Sequence, residues 1–94
     1  MPGLTARERS FLRTRAHPLE PLVAIGHEGL TPAVLKEIER ALTAHELIKV
    51  RVNDGDRASR RALLEEICAR TDASPVQQVG KVLVLWRPRP LEVA

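Results

Sequence analysis

Val76-Gln77-Gln78-Val79-Gly80-Lys81-Val82-Leu83-Val84-Leu85-Trp86 is the stretch that decides how this chain folds. Val76 to Val79 and Val82 to Trp86 read as the arms of a β-hairpin. Gly80-Lys81 joins them, with glycine at the first turn position as a type II′ turn prefers. The second arm is apolar on both faces, so it belongs inside a sheet and not at an edge. Its two prolines, Pro88 and Pro90, end the strand, and the tail from about 88 reads as loosely ordered.

Two further strands lie upstream. Leu47 to Val52 alternates cleanly: Ile48, Val50 and Val52 point one way, Lys49 and Arg51 the other. Leu22 to Ile25 is a short apolar run ending at glycine, consistent with a buried strand. The clearest helix, about 32–45, lies between them. Val34, Leu35, Ile38, Ala41, Leu42 and His45 recur at helical spacing, opposite Lys36, Glu37, Glu39, Arg40 and Thr43. A second helix, about 57–70, follows the turn Asn53-Asp54-Gly55-Asp56, with Asp56 as its cap. Its apolar side is Ala58, Leu63, Leu64, Ile67 and Cys68. Asp72 to Pro75 reads as a loop.

The chain opens with Thr5 and Glu8 at capping-box spacing, which predicts a helix of about ten residues. Leu4, Phe11 and Leu12 share one arc of it, Arg9 and Arg13 lie on the opposite side, and Arg15 snorkels beside the apolar arc. Pro18 and Pro21 then end it.

The expected fold is a two-layer α/β domain covering 1–94, ordered α-β-α-β-α-β-β around a four-stranded mixed sheet of order 1-2-4-3. Right-handed crossovers keep three strands parallel, and the closing hairpin reverses the fourth. The crossover helices cover one face. The first helix is the candidate to cover the apolar second face of the last strand.

Composition narrows the function. The chain is long enough for one modest core, and 44% hydrophobic with 29% charged residues is ordinary for a globular protein. No apolar run approaches the roughly 18 residues a membrane span needs. Arginines interrupt the N-terminal segment, so no signal peptide is expected. A lone Cys68 rules out an intramolecular disulfide framework. A cytoplasmic, monomeric protein is expected, with no membrane, cofactor or small-molecule substrate. Net charge is +3, with basic residues concentrated towards the two ends of the sequence. One patch built from both ends would suit a polyanion.

Catalysis finds no support. His17, His27, His45 and Cys68 have no metal-ligand spacing. His45 reads as a packed histidine and Cys68 as core. No Gly-x-Ser-x-Gly elbow, Walker loop or His-Glu-x-x-His occurs. Glu37 with Glu39, and Glu65 with Glu66, read as solvated helix charges.

The segment that stands out is Ile25-Gly26-His27-Glu28-Gly29-Leu30-Thr31-Pro32. It joins a strand end, a Gly-x-x-Gly loop and a helix start, with Thr31 as N-cap and Pro32 at the first helical position. Such a place can hold phosphate, although Gly-x-x-Gly also occurs in ordinary turns. Arg57, Arg60 and Arg61 crowd the start of the next helix against its dipole, at roughly 0.3–1 kcal/mol each when exposed. Asp54, Asp56 and Glu65 lie close enough to offset that cost.

The segments AHPLEPLVAIGHEGLTPAVLKEIERAL, HELIKVRV and QVGKVLVLWRP together resemble the CRM domain, the RNA-binding domain of chloroplast splicing and bacterial ribosome-maturation proteins. The likeness is greatest to its stand-alone bacterial form, the YhbY family, and spans nearly the whole chain. The resemblance implies a fold like the C-terminal domain of translation initiation factor three. It also implies binding of structured RNA and, in bacteria, association with precursors of the large ribosomal subunit.

By position, Gly26 and Gly29 fall on the family's GxxG loop, comparable to the backbone-clamping loop of KH domains. Lys49, Arg51, Lys81 and Arg87 fall on its basic positions. His27 and Glu28 depart from the small polar or basic residues usual there, and Trp86 replaces a frequent Tyr. A carboxylate facing phosphate is unfavourable, so Glu28 must turn away, bind a base edge or cap the helix. The full candidate surface adds Lys36, Arg40, Arg57, Arg60, Arg61, Arg9 and Arg13. Two aromatic residues and no Tyr exclude a stacking platform, leaving phosphate and shape recognition. The competing expectation is a protein-interaction module docking through the sheet edge or the N-terminal helix, on a ribosomal or assembly protein.

Overall fold

The computed structural model describes residues 3–89. The elements are α1 (Ala6–Ala16), β1 (Val23–Ile25), α2 (Pro32–His45), β2 (Leu47–Val52), α3 (Arg57–Thr71), β3 (Ser74–Val79) and β4 (Val82–Trp86). The sheet order is β1-β2-β4-β3. β1 and β2 are parallel, with Val23 opposite Val50, while β4 runs antiparallel to both neighbours, with Leu85 opposite Ile48 on one side and Pro75 on the other. The doubly apolar β4 is thus an interior strand, as expected.

Helix ends follow the local chemistry. The Thr5–Glu8 capping box forms, and the Thr31 hydroxyl accepts the Val34 N–H at 3.2 Å. Asp56 accepts the Ser59 N–H at 2.8 Å. That bond holds the Asp56 carboxyl below the ordinary carboxylate range. α2 ends on Glu46 at φ 65, and α3 on Asp72 at φ 61 in the left-handed region.

The main core lies between the sheet and α2 with α3. Ile38 and Leu42 from α2, and Leu64 and Ile67 from α3, meet Ile25, Ile48, Val50, Leu83 and Leu85. A smaller cluster fills the other face, where Leu12 and Ala16 of α1 pack on Val76 and Val84, flanked by Leu47, Val82 and Trp86. α1 therefore provides the expected partial cover of the second face.

Four local expectations are corrected. β3 begins at Ser74, two residues before Val76 and inside the expected loop. An edge strand needs no N–H from Pro75 on its outer side, and a bulge between Pro75 and Gln77 absorbs the irregularity. The buried arc of α1 is Leu12 and Ala16 with Arg9 half-buried beside it, whereas Phe11 is 61% exposed. At 100° per residue Phe11 stands a quarter-turn away, and Arg15 lies over its ring, 5.8 Å from the centroid.

His45 is exposed: it closes the last turn of α2, two residues before β2 begins. Ala58 is exposed too, and the buried positions of α3 begin only at Leu64. Of the tail, Pro88 and Arg89 are described, and Arg89 is tied down by its N–H bond to the Glu46 carboxylate at 2.9 Å. Pro90 and the residues after it lie outside the described residues.

Candidate nucleic-acid interface

Parallel strands joined by helices put their C-terminal loops at one end of the sheet. The loop after β1 (26–31), the turn after β2 (53–56) and the β3–β4 hairpin turn meet there. The Asn53 N–H bonds the Ile25 carbonyl at 3.1 Å, and the Val52 N–H bonds the Lys81 carbonyl at 2.7 Å. Both α2 and α3 start at this end, capped by Thr31 and Asp56.

The GHEG segment is a closed turn: the Gly29 N–H bonds the Gly26 carbonyl at 3.1 Å, and the Thr31 N–H bonds the Gly29 carbonyl at 3.0 Å. The two glycines differ. Gly29 has φ 74, which favours glycine, whereas Gly26 has no positive φ and no heavy atom within 4 Å of an added Cβ. The fold itself therefore has no need of glycine at 26.

His27 stands out from the loop, its side chain 98% exposed, with Nδ1 3.2 Å from a carboxylate oxygen of Asp54. Glu28 is exposed and makes no hydrogen bond or ion pair among the described residues. It does not cap α2, since Thr31 does. Asp54 is a member of this end that the reading by motif missed. The signal was available in the topology, because β1 and β2 are parallel neighbours and their following loops must meet.

Lys49 and Arg51 lie on the second face of β2, opposite the core. Lys49 Nζ donates to the His17 carbonyl at 3.3 Å, and Arg51 Nε to the Asn53 side-chain oxygen at 3.0 Å. Lys81 is exposed at the hairpin turn beside β2's end. Arg57 and Arg61 are exposed on the first turns of α3, but Arg60 is half-buried and donates to the Gly55 carbonyl. Lys36 and Arg40 line the outer side of α2, and Arg13 the outer side of α1; all three are exposed. Arg9 faces the β3 edge and shares a depression with Arg61.

Arg87 does not join this group. It sits at the other end of β4, 19% exposed, with Nη1 2.8 Å from Glu39 and 2.9 Å from the Thr71 carbonyl, and Nη2 3.1 Å from the Thr43 hydroxyl. It ties β4 to α2 and α3. Cys68 is buried, and burial pushes its thiol up to about 11, so it holds no reactive thiolate near neutral pH. No helix among the described residues is long and apolar enough to cross a membrane.

The arrangement offers exposed cations on three elements around one end of the sheet, interleaved with the carboxylates of Glu28, Asp54 and Asp56. It presents ions and backbone donors to whatever approaches that end. Residues 4–87 match the family profile of the CRS1 / YhbY (CRM) domain. A Haemophilus influenzae protein named as an RNA-binding protein is 46% identical over 88 residues, covering 94% of this chain and 89% of that protein. A Pseudomonas aeruginosa protein, named a probable RNA-binding protein, is 41% identical over 94% of this chain and 85% of its own length. The solution structure of a Staphylococcus aureus hypothetical protein, described as a candidate RNA binder, superposes with a TM-score of 0.85 at 30% identity, covering 96% of this chain and 94% of the other. The chain belongs to the CRS1 / YhbY (CRM) domain family, as a YhbY-like member.

Proposed function

We propose that this protein is a non-enzymatic binder of structured RNA, acting on ribosomal RNA during assembly of the large subunit. The observation that carries the reading is the convergence of the GHEG loop, the 53–56 turn, the Lys81 turn and two helix starts at one end of the sheet. Family membership supports it, since the relatives bear RNA-binding names. In this reading the loop backbone approaches the RNA, with Gly26 leaving the room. Lys49, Arg51, Arg57 and Lys81 neutralise phosphates around it. His27 is held by Asp54, and Glu28 points away from the phosphates or meets a base edge.

Gly26→Leu separates fold from function. An added Cβ meets no heavy atom within 4 Å and the position is exposed, so the thermal midpoint should stay within a few degrees of wild type. Affinity for a large-subunit rRNA fragment should fall at least tenfold, by obstruction of the close approach. Wild-type affinity should also weaken with salt, with a slope of about 0.7–0.9 per phosphate contact. Unchanged affinity in Gly26→Leu would move the site off the loop. Association with ribosomal particles that survives nuclease and high salt would favour a protein partner instead.

A further inference from the structure

The outer edge of β3 is open between α1 on one face of the sheet and α3 on the other. Arg9 of α1 and Arg61 of α3 stand on opposite walls of a groove of about 190 Å³, floored by Pro75, Val76, Gln77 and Gln78. It adjoins a second depression of about 450 Å³ that shares Arg61 and Gln78 and adds Arg57. Arg57 is in the first turn of α3, at the loop end of the sheet. The two depressions therefore form one track from Arg9 towards the proposed RNA site.

The cations of this track are little engaged. Among the described residues the Arg9 guanidinium makes one long bond, 3.5 Å to the Leu4 carbonyl. Arg61 pairs with Glu65 at 3.4 Å, with both side chains about two-thirds exposed, a pairing worth little in water. The Arg57 side chain makes no hydrogen bond or ion pair among the described residues; only its carbonyl is used, by the Gln78 amide at 3.1 Å.

An open sheet edge could also take up an extended peptide as an additional strand, but this one is poorly made for it. Pro75 has no N–H, and the bulge between Pro75 and Gln77 breaks the regular spacing of donors and acceptors. What the edge retains is guanidinium on both walls, side-chain amides on the floor and an exposed proline ring. Those groups suit phosphates, base edges and an unstacked base.

We propose that the β3 edge groove binds a single-stranded RNA segment that continues from the structured RNA held at the loop end, with its phosphates between Arg9 and Arg61. This rests on the proposed RNA-binding function and adds a second, separable site to it.

The test uses two probes, an oligouridylate of about 10 nucleotides and a blunt hairpin from large-subunit rRNA, against wild type, Gly26→Leu and the double variant Arg9→Gln/Arg61→Gln. The double variant should keep its thermal midpoint but bind oligouridylate about tenfold more weakly. Its salt slope should drop by roughly 1.4, or about 0.7 for each of two lost contacts. Its affinity for the blunt hairpin should change little, and Gly26→Leu should show the reverse pattern. Hairpin binding without oligouridylate binding in wild type would overturn the groove proposal alone; loss of both would overturn the RNA-binding reading as well. Equal oligouridylate affinity in the double variant, or an oligoglutamate peptide that binds wild type more tightly and is lost in that variant, would also overturn it.

Discussion

Replacing Leu85 by alanine should lower stability by about 3 kcal/mol, within the range for truncating a fully buried leucine. For a domain of this size that corresponds to a fall of roughly 12–24 °C in thermal midpoint. Leu85 is 0% exposed, lies on β4 between Ile48 of β2 and Pro75 of β3, and packs in the main core beneath α2 and α3. Removing three heavy atoms there leaves a cavity that four surrounding elements must each move to fill. Val79→Ala is the control: Val79 ends the edge strand and is 53% exposed, so its loss should cost under about 0.5 kcal/mol. Thermal or denaturant unfolding of both variants checks the pair. Similar losses in the two would mean that β4 is not an interior strand.

The second large effect is Arg87→Ala, with an expected cost of about 2 kcal/mol. The guanidinium joins Glu39, Thr43 and the Thr71 carbonyl, so three acceptors on two helices lose a shared donor at once. Hydrogen bonds to charged groups contribute about 1.5–3 kcal/mol each when net favourable. Partial exposure of Glu39, at 44%, lets water replace some of that. RNA affinity per folded molecule should be unchanged, because Arg87 lies at the far end of β4 from the loops. Arg87→Lys should recover only part of the loss, since an ammonium cannot present two parallel donors to separate acceptors in the same way. A variant that keeps its stability but loses RNA binding would return Arg87 to the binding surface.

The Arg87 case shows where a sequence stops being legible. A basic residue after a strand looks the same whether it meets phosphate or Glu39, and Glu39 is 48 positions away in the chain. Element types and sheet order were readable because they depend on short-range patterns: alternation in 47–52, helical spacing in 32–45, and the doubly apolar run of 82–86. Boundaries were less so. The start of β3 was hidden by Pro75, whose usual message of a strand break does not hold at an edge.

On α1 the error was one of facing. Eleven residues with two buried positions leave a weak pattern, and Phe11 drew the arc towards itself although solvent claims it. At the candidate site, the loop and the arginines of α3 were visible as motifs. The Asp54 contact, the sequestration of Arg60 and the groove between Arg9 and Arg61 all required chain segments to be placed side by side.

The modest docking of α1 has a consequence for the order in which the molecule comes apart. Only Leu12 and Ala16 of the helix are buried, against Val76 and Val84, while the main core holds thirteen buried residues among those described. Local opening free energy scales with such burial, so α1 should behave as its own foldon, released before the sheet. Trp86, the chain's single tryptophan, packs in the α1 cluster and not in the main core. Its emission should therefore report helix release: in rising denaturant it should shift to the red before the β4 amides lose their protection from hydrogen exchange. Coincident transitions would instead mark the two clusters as one cooperative unit.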